Sequence, residues 1–197
     1  MEKKARTNYP INDLLVRRWS PRAFSSRIPG KEIVLSFFEA ARWAPSCFNE
    51  QPWTFIYATK EDPEEFQTML DCLVPGNVRW ASEAPVLVIA VAAEKFASGR
   101  DNLWAWHDVG MAVENLILEA TSKGLFAHPM AGFDGDKIKE TYDIPEDYTP
   151  VTAIAIGYPG EVSSLPEDLQ EAEVAQRERK AVYEFTFRRT WGDNRGV

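Results

Sequence analysis

Bulky apolar positions fall along this chain in two rhythms, and the switches between them mark its elements. Ile11, Leu14 and Leu15 share one helical face that runs into Arg17-Arg18 and is broken by Ser20-Pro21. Residues 20–30 read as a loop. Val34, Phe37, Phe38 and Ala41 recur at i, i+3, i+4 and i+7 and predict a helix over 31–43, closed by Pro45. Trp53 to Tyr57 alternates bulky and smaller residues as a half-buried strand does. Asp62-Pro63 then starts a helix whose buried face is Phe66, Met69, Leu70 and Leu73, and which Pro75-Gly76 ends.

Val86 to Ala93 is apolar on both parities, so it reads as a central strand covered on both faces. The longest helical pattern spans 104–123 and ends at Gly124. Trp106, Val109, Val113, Leu116, Ile117 and Ala120 occupy one face of it, with Trp104, Met111 and Leu118 elsewhere, which predicts burial nearly all round. A short helix fits 136–142, and Val151 to Ile156 reads as a second doubly covered strand stopped by Gly157-Tyr158-Pro159-Gly160. Beyond it, 161–180 is charged and poor in large apolar side chains, yet Tyr183 to Phe187 alternates as a strand. The expectation is one domain over 1–160, with 161–197 an arm of that domain that leaves it and pairs elsewhere.

At 197 residues and 45% hydrophobic, the chain closes one substantial core. A net charge of −8 argues against a general nucleic-acid surface, although Arg17, Arg18 and Arg22, and again Arg188 and Arg189, form local groups that suit a small anion. Cys47 and Cys72 match neither a CxxC pair nor a zinc site. Neither a secretory signal nor an apolar run approaching the ~20 residues of a membrane span is present, which leads to a cytoplasmic expectation with no membrane partner.

Nucleotide-loop, metalloprotease and hydrolase motifs are absent, and two histidines give a metal site or a Ser-His-Asp triad little material. Chemistry here belongs to an organic cofactor. Arg18-Trp19-Ser20-Pro21-Arg22-Ala23-Phe24 places two guanidinium groups and a hydroxyl at a helix end, which suits a phosphate monoester and equally suits a solvated basic surface. Ala44-Pro45-Ser46-Cys47-Phe48-Asn49-Glu50-Gln51-Pro52-Trp53 holds Ser, Asn and Gln between prolines, either to meet a heteroaromatic edge or to stitch a helix-to-strand turn.

These two segments, in this order and spacing, together with Gly124-Leu125, Met130-Ala131-Gly132-Phe133 and Phe187-Arg188-Arg189, resemble the nitroreductase family over most of the chain. The resemblance implies an α+β fold, a three-layer α-β-α sandwich with a mixed sheet, in an interlocked homodimer that exchanges its C-terminal arms. It implies FMN at the dimer interface, with the segment Arg18, Trp19, Ser20 and Arg22 of one subunit, and the C-terminal Arg188 and Arg189, at the phosphate. Pro45, Ser46, Cys47 and Asn49 would reach the flavin from the other subunit.

By the same matching Asn77 meets the pyrimidine edge, although a Gly-Asn turn explains it too, and Pro129, Ala131 and Gly132 line the ring with the Ala131 N–H near N5. Trp19 and Trp80 depart from common family residues, and a flat acceptor stacked on the flavin could use either; His128 reads as structural. No catalytic side chain is assigned, because flavin itself carries hydride. The implied activity is ping-pong transfer from NADH or NADPH to a small acceptor such as a nitroaromatic, quinone or conjugated carbonyl. A non-catalytic flavin-binding or sensing dimer is the alternative.

Overall fold

The structure, a computed structural model that describes residues 3–195, is built around the strand whose every position is apolar. That strand, β2 (Val86–Ala93), pairs antiparallel with β1 (Trp53–Thr59) on one side and with β4 (Tyr148–Gly157) on the other. β3 (Phe126–Met130) pairs antiparallel with β4 and closes the order β1-β2-β4-β3. Because side chains alternate across a strand, Val86, Val88 and Ala90 enter one core and Leu87, Ile89 and Val91 the other. β4 divides likewise, with Ile154 and Ile156 on the first face and Ala153 and Ala155 on the second.

The first core is sealed by α2 (Lys31–Arg42) and α5 (Ala105–Ser122), which supply Val34, Phe37, Val109 and Leu116. On the second face lie α3 (Pro63–Leu70), α4 (Pro75–Ala81) and α6 (Gly135–Thr141), with Met69, Trp80 and Ile138 at their centres. Three layers, α-β-α, result. Local signals place the helices: Asp62 accepts the Glu65 N–H ahead of Pro63, and Gly124, at φ 77°, lets Leu125 donate to Ala120 as α5 ends. The remaining helices are α1 (Asp13–Arg17) and α7 (Glu167–Val174). No helix among the described residues is long and apolar enough to cross a membrane.

Several expectations need correction. All three strand pairings within the chain are antiparallel, so a mixed sheet requires a strand that the described residues do not provide. Tyr183–Phe187 is not a strand; Val182–Glu184 makes one 3-10 turn, because an alternating segment forms no strand without a partner edge. Trp106 and Trp104 are both exposed, so α5 buries one face rather than its whole girth. Pro75-Gly76 separates α3 from α4 but also opens α4, since proline suits a first helical turn.

Candidate functional site

The segment after α1 has almost no backbone freedom. Arg177 donates to the Val16 carbonyl at 2.7 Å and to the Arg18 carbonyl. The Pro21 carbonyl faces His128 Nδ1 at 2.8 Å. Arg22 N–H sits 3.0 and 3.1 Å from the two carboxylate oxygens of Glu173, and Ala23 N–H donates to the same group at 3.0 Å. Gly160 donates to the Ala23 carbonyl, and a Cβ on Gly160 would lie 2.5 Å from the Phe24 backbone, so only glycine permits that approach.

Side chains complete the brace. Trp80 packs between Phe24 and His128, with ring centroids 6.4 and 4.5 Å away. Burial, the largest influence, drops the His128 pKa to about 4; the neutral ring therefore donates its Nδ1 proton to Pro21. Arg22 lies over the Trp80 ring at 6.0 Å. Among the described residues, neither its guanidinium nor the Ser20 hydroxyl hydrogen-bonds to a protein group, whereas their backbone is fixed. Partly exposed donors left without protein acceptors are what a phosphate or carboxylate would need, and water otherwise meets them.

Asn77, Pro129, Ala131 and Gly132 adjoin this segment, because Pro129 follows His128 on β3. Asn77 Nδ2 donates to the Gly132 carbonyl at 3.0 Å, and Val74 N–H reaches the same oxygen at 3.1 Å. A Cβ at Gly132 would meet Asn77 Nδ2 at 2.6 Å. The structure thus links the loop that carries Ser20 and Arg22 to Asn77, Pro129, Ala131 and Gly132 through His128 and Trp80, while the Arg18 side chain lines a separate pocket with residues from 5–11 and 176–185.

Pro45, Ser46, Cys47 and Asn49 lie elsewhere. Phe48, Asn49 and Gln51 all have left-handed backbones, at φ 53°, 57° and 52°, a cost of order 1–3 kcal/mol each for residues with a Cβ. The loop is held by its own side chains and by two carboxylates. Ser46 Oγ accepts the Gln51 N–H, Gln51 Nε2 donates to the Asn49 carbonyl, Cys47 N–H donates to buried Asp108 at 2.9 Å, and Glu50 accepts the Ala97 N–H. The stitched turn and an exposed polar edge therefore coexist, with Asn49 facing solvent.

One helix measures the separation. Asp108 lies in the first turn of α5, while Arg17 donates to the Thr121 carbonyl in its last turn. Thirteen residues of α-helix put the two regions about 20 Å apart. A single copy holds the two groups of candidate residues toward opposite ends of α5.

The Nitroreductase family model matches residues 15–158, which takes in both candidate loops and every strand. The chain belongs to the nitroreductase family. A solved structure described as an oxidoreductase containing FMN superposes with a TM-score of 0.91, at 34% identity, over 95% of this chain and 96% of that one. An uncharacterized 15.4 kDa protein of Mycolicibacterium smegmatis is 34% identical over 130 residues, covering 66% of this chain and 86% of its own length. A putative NADH dehydrogenase/NAD(P)H nitroreductase of Archaeoglobus fulgidus is 27% identical over 150 residues, 74% of this chain and 83% of its own.

Within this family member the two unusual tryptophans are core residues. Trp19 and Trp80 are 4% and 2% exposed, and Trp19 rests on Phe126 with Lys3 over its ring, so a flat acceptor has no open face of either to stack on. Arg188 and Arg189 are exposed on the tail, where the Arg188 N–H donates to Asp193, and the structure does not bring them to Arg22. Asp108 and Glu173, which the sequence reading passed over, are the buried carboxylates of the described residues. Asp108 had a signal, an acid inside the apolar face of α5; Glu173 had none, since it is one of several acids interspersed with small apolar residues over 167–175.

Proposed function

We propose that this chain is an FMN-dependent oxidoreductase that takes hydride from NADH or NADPH and passes it to a small acceptor through one alternately occupied site. The observation that carries the reading is the pair of partly exposed donors with no protein acceptor, Arg22 and Ser20, on a segment held by His128, Glu173 and Gly160, inside a protein of net charge −8. Arg offers a phosphate planar paired donors, and Arg18 adds a second cation on the same segment. Gly132 lets Asn77 and Val74 pack directly on its backbone, since a Cβ there would meet Asn77 Nδ2 at 2.6 Å and Val74 Cγ2 at 2.7 Å, and this close packing holds the segment that would border the ring. When bound, FMN supplies a ring that accepts and returns hydride.

The protein's own residues would then orient and enclose. Arg18, Ser20 and Arg22 hold the phosphate; Asn77, Pro129, Ala131 and Gly132 border one side of the ring; Pro45, Ser46, Cys47 and Asn49 approach from a second subunit. The ~20 Å between the half-sites supports this composite arrangement, since a symmetric dimer can set each end of α5 against the opposite end of its partner. Exposed Leu35, Trp43, Leu103, Trp104 and Trp106 supply apolar surface for such a partner. In the dimer the arm residues 183–187 would find the strand edge they lack here, bringing Arg188 and Arg189 to a phosphate.

The decisive experiment is the visible spectrum of the purified protein, with the released cofactor identified and NADH or NADPH then added anaerobically. The expected result is bound FMN bleached by at least one nucleotide, with parallel double-reciprocal plots when acceptor is varied. Colourless protein that takes up no added FMN would overturn the cofactor assignment; bound FMN that neither nucleotide reduces would overturn the enzymatic one.

A further inference from the structure

Glu173 stands where local preferences disfavour it. It is the penultimate residue of α7, beside the negative end of the helix dipole, and it is 2% exposed. A buried carboxylate in that position is retained only if it is well partnered. Its partners are two consecutive backbone N–H groups of the loop that carries Arg22, and the contact spans some 150 residues of chain. Lys3 completes the junction. Its ammonium donates to the Glu173 carbonyl at 2.6 Å, satisfying a helix-end acceptor, and it lies in the fields of Glu173, Arg177 and Arg22 together.

We propose that Glu173 is a positioning residue for the phosphate-binding loop, so that retention of FMN depends on the docking of α7, the first helix of the C-terminal arm. The proposal rests on the assignment of a phosphate to Arg18, Ser20 and Arg22. Both carboxylate oxygens are spent on the Arg22 and Ala23 amides, which fixes the turn from which the Arg22 side chain projects across Trp80. Glutamine can keep Oε1 for both amides, but it sets an N–H donor where Oε2 now lies 3.1 Å from the Arg22 N–H, which turns that second contact repulsive.

Charge and geometry predict opposite outcomes, which makes the test decisive. Glu173→Gln removes a negative charge near the phosphate. Were Glu173 only a counter-charge for Lys3, Arg22 and Arg177, the variant would bind phosphate more tightly. As a positioning group, its loss displaces Arg22 and weakens phosphate binding.

Full-length apoprotein is titrated with FMN and with riboflavin, which lacks the phosphate, for the parent, Glu173→Gln and Arg22→Ala. The preference for FMN over riboflavin is the readout, since general destabilisation weakens both ligands alike. The expected result is a preference reduced about tenfold in Glu173→Gln, with riboflavin affinity nearly unchanged, and reduced at least as far in Arg22→Ala. An unchanged or increased preference in Glu173→Gln, with loss in Arg22→Ala, overturns the positioning role and leaves the phosphate assignment standing. An unchanged preference in Arg22→Ala overturns that assignment, and this proposal with it. If Glu173→Gln does not fold, amide exchange in the parent apoprotein decides: the Arg22 and Ala23 amides are expected to be protected before any flavin is added, and free exchange there overturns the proposal.

Discussion

The two proposed half-sites of this nitroreductase-family protein are held by opposite strategies. Residues 20–24 keep ordinary backbone angles and are gripped from outside by β3, Gly160 and α7, through the Pro21 carbonyl, the Arg22 and Ala23 N–H groups and the Ala23 carbonyl. Residues 45–51 are gripped mainly from within, by Ser46 and Gln51, and carry three left-handed residues at the surface. The first loop belongs to the core and lends only its side chains to a ligand. The second stores strain near the surface, and its Phe48 is 85% exposed. Electrostatic capture of a phosphate needs a fixed frame, whereas a loop that borders an exchanging substrate needs only to return to one shape.

The largest expected effect breaks each half separately. Arg18→Glu with Arg22→Glu disables one end of α5, and Ser46→Trp with Asn49→Trp the other. Each folded homodimer should lack flavin and turnover. Refolding an equal mixture should return roughly a quarter of parental activity per chain, because half the dimers regain one of two sites. A verified heterodimer that regains neither FMN nor activity would rule out sites shared between copies.

Asp108→Ala strikes the strained loop, along with the Asp108 contact to His107 Nδ1 at 3.2 Å. It removes the buried acceptor of the Cys47 N–H, and the expected loss is about 1–3 kcal/mol of stability in urea unfolding. The same variant should retain its FMN-over-riboflavin preference, because the phosphate loop is untouched. Loss of that preference would show that the half-sites are not independently held.

The smallest effect is acid-dependent and confined to the core-anchored loop. The folded pKa of His128, about 4, lies below the ordinary 6.5, so the unfolded chain takes up the proton first as pH falls. Stability is therefore full above pH 6.5 and declines as pH drops toward 4, by about 1 kcal/mol at pH 5.5 relative to pH 8. His128→Gln should flatten that part of the profile. An identical slope in parent and variant would remove His128 as its source.

What the sequence made legible follows from how strongly each segment is constrained by its own neighbours. β2 announced itself because both faces are covered, and α3 because Asp62 and Pro63 cap it. β3 escaped notice because Pro129 argues against a strand; the last position in the sheet order tolerates a residue without an N–H. α7 escaped because its charged residues show no apolar stripe, and its one buried side chain is a glutamate. In the site, Arg18, Ser20 and Arg22 were readable as donors, but the long-range contacts that fix them, His128 to Pro21 and Glu173 to Arg22, leave no trace in local spacing.

The span of α5 between Asp108 and Thr121 has a consequence for how this chain can change. A residue inserted within that span would push one half-site about 1.5 Å along the axis and swing it by about 100° around it. Both ends would then miss their counterparts in a symmetric assembly at once. A loop such as 94–104 can lengthen without that shift, so the surface beside residues 45–51 varies more readily through insertions there than through any change in the number of residues in the helix.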